Sequence, residues 1–239
     1  MVSPIKDILF LLVIFSTNAI QAITGFAGTL LAMPPSILLI GVNEARAVLN
    51  IVTWISCFVI TFQNYQWTNK KELKKIIIFM LVSMVLGLKL YEILPLQLLL
   101  TTYGILIILI ALKGLLIEKS FNIPSFLMLI VLVSAGIIHG MFVSGGSLLV
   151  IYAVKTFKDK NEFRATIAPV WVILNTFMVF DHIGNGYITK KVVILLLLSI
   201  IPMFLGIGLG NKLYDKINQK LFLKFTYLLL GISGLLVVF

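Results

Sequence analysis

The sequence predicts an all-α, polytopic membrane protein built as two inverted repeats, each a broken, re-entrant helical hairpin followed by about three transmembrane helices. Three observations predict it. The chain of 239 residues is 60% hydrophobic and 12% charged, with a mean hydropathy of +1.12, whereas a soluble domain carries roughly 25% charge. One pattern of small residues followed by an arginine occurs twice, 118 residues apart. The basic residues become strongly one-sided only under the hairpin arrangement.

Along the chain, apolar runs at 8–24 and 28–41 form the first hairpin. The stretch GFAGTLLAM (25–33) interrupts them with glycine, which lets the backbone turn within an apolar setting. Irregular backbone at membrane depth must be buried in protein or line a cavity. Runs at 47–63, 76–90 and 94–112 follow, close to the roughly 20 residues that a crossing takes. The plan then repeats. Runs at 125–142 and 145–154 surround VSGGSLLVI (143–151), and runs at 165–180, 192–210 and 221–239 complete the second half. Lys6, the apolar stretch 8–15 and the small residues up to Ala22 resemble a signal peptide. Residues 8–33, however, have a counterpart at 126–151, which a removable leader lacks, so they are assigned to the fold.

The repeat is explicit in the residues. AGTLL (27–31) lies over GGSLL (145–149), and NEARA (43–47) over NEFRA (161–165). After an insertion, Lys70-Lys71 matches Lys190-Lys191, and GLKLYE (87–92) matches GNKLYD (210–215). The chain therefore divides into a first repeat at 1–120 and a second at 121–239 within one membrane domain, a pattern typical of transporters. If each half crosses four times, the 19 Lys and Arg split 9 to 10, without bias. If 8–41 and 125–154 return to the side they left, 14 collect on one side, in 70–75, 113–119, 155–164 and 212–224. The other side keeps 5: Lys6, Arg46, Lys89, Lys190 and Lys191. Cytoplasmic loops carry the excess, so the halves are inverted and both termini lie outside the cell membrane.

A helix that starts inside the membrane leaves its first N–H groups unpaired and directs about half a positive charge at that spot. Two such starts face each other in this arrangement, near Thr24, Gly25, Gly28 and Thr29 and near Ser144, Gly145, Gly146 and Ser147. The glycines admit an anion to the backbone, and the hydroxyls donate. Asn50, His139 and Asn175 are further candidates to face the anion. Arg46 and Arg164 are placed to meet anions arriving from opposite faces. Plain alternatives stand beside each assignment. Small residues also serve close helix packing, the arginines can anchor a helix end or pair with Glu44 and Glu162, and His139 and the asparagines can be structural.

Other classes are disfavoured. All nine acidic residues sit at or near the ends of apolar runs, which leaves no carboxylate relay and no counter-charge for a cation. The net charge of +10 lies in loops between apolar runs, so it speaks for membrane orientation and against nucleic acid. The single Cys57 excludes an intrachain disulfide and a cysteine metal cluster. No GxxxxGK[ST] motif is present, and no cofactor is implied. Ser147 with His139 or His182 superficially offers a nucleophile and base, but the first repeat has Thr29 and no histidine there. The basic loops 70–75 and 155–164 leave open a channel or a subunit that docks a partner, and the sequence leaves open a homodimer.

The paired glycine-rich segments, each followed by an E-x-R-A step, resemble the TauE/SafE family of sulfite exporter-like permeases. The resemblance covers essentially the whole chain. It implies a permease for sulfur-containing anions such as sulfite or sulfonates, acting through Gly25, Gly28 and Thr29 and through Gly145, Gly146 and Ser147. The chain departs from the family pattern in Ala27 between Gly25 and Gly28, in Val143 where Gly25 aligns, and in Ile151-Tyr152 where the first half has Pro34-Pro35.

Overall fold

The computed structural model describes residues 4–116, 124–157, 159–214 and 216, with positions 224, 227, 228, 231, 232, 234 and 235. Each described element is a helix. They are α1 (Pro4–Thr24), α2 (Ala27–Ile40), α3 (Val42–Asn64), α4 (Lys70–Ile93), α5 (Leu96–Leu116), α6 (Ser125–Phe142), α7 (Gly146–Thr156), α8 (Lys160–Gly184) and α9 (Lys190–Tyr214). A 3-10 turn, Tyr65–Trp67, joins α3 to α4. The last expected helix, 221–239, lies largely outside the described residues.

Among the described residues, six helices (α1, α3, α4, α5, α8 and α9) are long and apolar enough to cross a membrane. Leu197, Ile201 and Leu205 stand exposed along α9, while Arg46, Asn50, His139, Asn175 and His182 are buried. Apolar outside and polar inside suits a lipid solvent. This is a multi-pass membrane protein.

The helices begin earlier than the apolar runs suggest. α4 starts at Lys70 because Asn69 caps it by accepting from the Glu72 N–H at 3.1 Å. α8 starts at Lys160 because Asp159 accepts from the Asn161 and Glu162 N–H groups. Hydropathy reports only the lipid-bathed part of each helix, and the capped polar turns extend it.

Both expected hairpins are present. α2 folds back on α1, with Gly28 against Gln21 and Thr17; α7 folds back on α6, with Gly145 against His139 and Ala135. Gln21 and Thr17 correspond to His139 and Ala135 at the offset of 118, while Gly145 stands one residue before Gly146, the counterpart of Gly28. Close packing between the halves also rests on small residues. Gly206 and Gly210 of α9 lie on Phe15 and Ala19 of α1, so these two helices run in the same direction. Gly136 and Gly140 of α6 lie on Met80 and Met84 of α4, which also run together. Gly87 against Ile137 repeats Gly210 against Ala19. At the centre α3 crosses α8, where Asn50 Nδ2 donates to the Asn175 carbonyl at 3.3 Å and Trp54 Nε1 to Thr176 Oγ1 at 2.9 Å.

One detail differs from the mid-membrane turn expected. α1 has 21 residues, a full span by length, and Gly25 at its end lies against the backbone of Arg164 in the first turns of α8. The hairpins therefore overlap side by side instead of meeting end to end.

Candidate functional site

The chain turns at Gly25 and at Val143, and both have left-handed backbone, with φ of 79° and 55°. Glycine enters this region freely, whereas valine does so at a cost of about 1–2 kcal/mol. Such strain is held in place by the surrounding packing. Val143 thus keeps the turn of its counterpart Gly25 without its residue type.

The two helix starts behind these turns differ. In the first hairpin, Thr24 Oγ1 accepts from the N–H of Phe26 at 3.4 Å and of Ala27 at 3.2 Å, and Gln21 Oε1 accepts from the N–H of Gly28 at 2.6 Å. The first N–H groups of α2 are therefore engaged, and the open helix start expected there is closed by side chains of α1. In the second hairpin, no described side chain accepts from the N–H of Gly146, Ser147 or Leu148. That helix start keeps its donors.

The tips touch. A Cβ on Gly146 would stand 2.8 Å from the Phe26 carbonyl oxygen and 3.4 Å from its ring. Beside this contact lies a small cavity. Phe26, Thr29, Leu30 and Thr53 line it from the first half. His139, Val143, Ser144, Gly146 and Trp171 line it from the second. Phe26 and Ser144 are equivalent at the offset of 118, and so are Thr53 and Trp171. The Thr29 and Thr53 hydroxyls bond each other. Ser144 Oγ accepts from the Tyr103 hydroxyl at 2.8 Å. Trp171 Nε1 donates to the Gly25 carbonyl at 2.9 Å, and its ring lies 5.1 Å from that of His139. His139 Nε2 bonds Asn175 Oδ1 at 2.9 Å, while its Nδ1 is buried without a partner.

A neutral, hydroxyl-lined pocket with one open helix start and no carboxylate in its wall suits a small anion. The family comparison fits this chemistry. The profile of the family described as Sulfite exporter TauE/SafE matches residues 9–237. The chain belongs to the TauE/SafE family. Members of this family are membrane transporters of a small anion, so this TauE/SafE chain is a permease and not an enzyme. No curated protein and no solved structure matches it.

Of the residues singled out in the TauE/SafE sequence, Thr29, His139, Ser144 and Gly146 line the cavity. The others stand around it. Thr24 caps α2. Gly25 makes the left-handed turn, and its carbonyl holds Trp171. Gly28 and Gly145 are sites of helix contact, where a Cβ would strike α1 or α6. Ser147 Oγ is buried without a partner, so it has no base bonded to it. Neither asparagine lines the cavity: Asn50 Nδ2 donates to the Asn175 backbone carbonyl across α3 and α8, and the Asn175 side chain bonds His139 from behind.

The arginines sit at the far ends of the hairpins' first legs, each at the other half's hairpin. Arg46 Nη2 donates to the Gly140 carbonyl of α6 at 3.0 Å, and its guanidinium stacks 3.5 Å over the Tyr91 ring. Arg164 lies against Gly25, 4.5 Å over the Tyr214 ring, and donates to Asn211 Oδ1 at 2.6 Å. Tyr91 and Tyr214 are the matched tyrosines of GLKLYE and GNKLYD. The expected carboxylate partners are engaged elsewhere: Glu44 with Lys191 at 3.1 Å and Glu162 with Asn69 at 2.8 Å. Each arginine lies over an aromatic face, a favourable place for a cation.

Phe26, Leu30, Thr53, Val143 and Trp171 were not anticipated as cavity residues. The repeat held a signal for Phe26, since carrying Ser144 back by 118 gives it; Thr53 and Trp171 correspond to each other, and neither was singled out.

Proposed function

We propose that this permease carries a small sulfur-containing oxyanion or organosulfonate, held between the two hairpin tips, by alternating access between inverted halves. The carrying observation is the cavity itself. Both tips wall it, from positions equivalent in the repeat, and it adjoins the start of α7, whose first N–H groups have no side-chain cap. Thr29, Ser144 and Ser147 supply hydroxyls, Gly146 gives access to the backbone, and His139 adds a ring nitrogen. A tetrahedral oxyanion or sulfonate head matches such donors. Thr24, Gly25, Gly28, Asn50, Gly145 and Asn175 shape the tips around it.

The parallel run of α1 with α9 and of α4 with α6 supports the inverted repeats 1–120 and 121–239. Opposed halves that share one central site can rock between outward and inward openings. In this reading Arg46 and Arg164 form gates at opposite mouths, and both termini lie outside. A homodimer is compatible with it.

Uptake of radiolabelled sulfite, sulfate and methanesulfonate into proteoliposomes holding only this chain tests the proposal. Flux of at least one, abolished in Gly146→Leu with the protein still folded, supports it. Full flux in that variant removes the tips as the site. Flux that needs an added partner protein favours the subunit alternative.

A further inference from the structure

We infer that His139 is a proton site of this permease, so that an anion and a proton cross together. The inference rests on the anion site proposed above and names its coupling ion.

The membrane interior of the described chain holds few groups able to take a proton. No carboxylate lines the cavity, and His139 is the titratable side chain in its wall. Its Nε2 bonds Asn175 Oδ1, an acceptor, so the ring hydrogen of the neutral imidazole sits on Nε2. Nδ1 is then a buried lone pair with no partner, on a side chain 1% exposed. A buried acceptor left open is costly, and a proton brought in with an anion would satisfy it.

The surroundings make the two bind as a pair. The charged or chargeable groups whose fields reach His139 are Arg46 on α3 and His182 on α8. Asp181 adjoins His182 at 3.5 Å, away from the cavity wall. α4 packs on α6 through Met80, Ser83, Met84 and Gly87, none of which titrates. From α5 comes the Tyr103 hydroxyl, bonded to Ser144, and from α2 come Thr29 and Leu30. An imidazolium alone would sit near the Arg46 cation in a wall without a carboxylate, and an anion alone would face a neutral pocket. Together they neutralise each other, so each raises the affinity for the other by the same factor. The proton adds at Nδ1 on one side and leaves from Nδ1 on the other, with no net chemistry. The first half carries Gln21 at the equivalent position, bonded to Gly28 N and Cys57 Sγ, so one proton site serves the molecule.

The test is uptake of sulfate and methanesulfonate, whose charges do not change between about pH 5 and 8, with sulfite measured against protein-free vesicles. The intact protein is reconstituted, voltage is clamped at zero, and a gradient of one pH unit is imposed, acid outside. For one proton per monovalent anion, wild type accumulates anion up to about tenfold. His139→Gln, which copies Gln21, lowers flux, and its residual flux ignores the gradient. His182→Gln keeps the response. Wild-type flux that is equal with and without the gradient overturns the proton site and leaves the permease standing; that outcome needs no variant to fold. An undiminished gradient response in His139→Gln overturns it too. No flux of any of the three anions in folded wild type removes the permease reading for them, and this inference with it.

Discussion

Replacing Gly146 by alanine adds one methyl group where the hairpin tips touch. The new Cβ would lie 2.8 Å from the Phe26 carbonyl oxygen, whereas ordinary contact begins at 3.4 Å. The obstacle is backbone, not the end of a flexible side chain, so the tips must part by about 0.6 Å. Overpacking of this kind costs about 1–3 kcal/mol, which depletes the closed arrangement of the tips by roughly 5- to 150-fold. If the anion needs both tips, uptake falls by a similar factor. Gly208→Ala is the control: nothing lies within 4 Å of its added Cβ, and alanine favours a helix by about 1 kcal/mol. The assay is initial anion uptake in proteoliposomes at equal protein per vesicle, with detergent melting curves for both variants. Equal uptake by Gly146→Ala and Gly208→Ala would refute tip contact as the basis of transport.

Gln21→Leu strips the acceptor from the Gly28 N–H, a loss of about 1–3 kcal/mol for a buried group left unpaired; a detergent melting temperature unchanged from wild type would count against the capping role. Tyr91→Leu removes the face beneath Arg46, worth about 2 kcal/mol when desolvated, whereas Tyr91→Phe keeps it and loses the hydroxyl, with its exposed bond to Asn43 and its polar contact with Arg46. Melting should therefore fall clearly for the leucine variant and little for phenylalanine, and the reverse order would sink the stacking explanation. A topology reporter fused after Phe239 should report the outside, and a cytoplasmic signal would contradict inverted halves.

Much of this architecture is readable from local pattern. Apolar runs mark the helices because lipid selects apolar surface, and glycine marks the breaks because a reversal inside a membrane needs permissive backbone. Val143 shows the limit of that rule, since packing holds a valine in the turn that Gly25 makes freely. What escapes local pattern is contact at long range. Thr24 lies next to the break and Gln21 one turn before it, and only the folded hairpin shows them capping α2. Arg46 reads naturally as a partner for Glu44, two residues away. In the fold Tyr91, 45 residues on, takes that place, and Lys191 takes Glu44. Phe26 looks like an ordinary membrane-helix residue until the repeat sets it over Ser144, and only the fold brings Thr53 and Trp171 to the cavity.

Trp171 offers the most direct view of the central claim, that the anion sits between the hairpin tips. With Trp54 and Trp67 changed to phenylalanine, it is the sole tryptophan, and its ring lines the cavity. Titration of the purified protein with sulfite, sulfate or methanesulfonate should change its emission saturably, and Gly146→Leu should abolish the change. Emission that stays constant while the same anion is transported would place the binding site elsewhere.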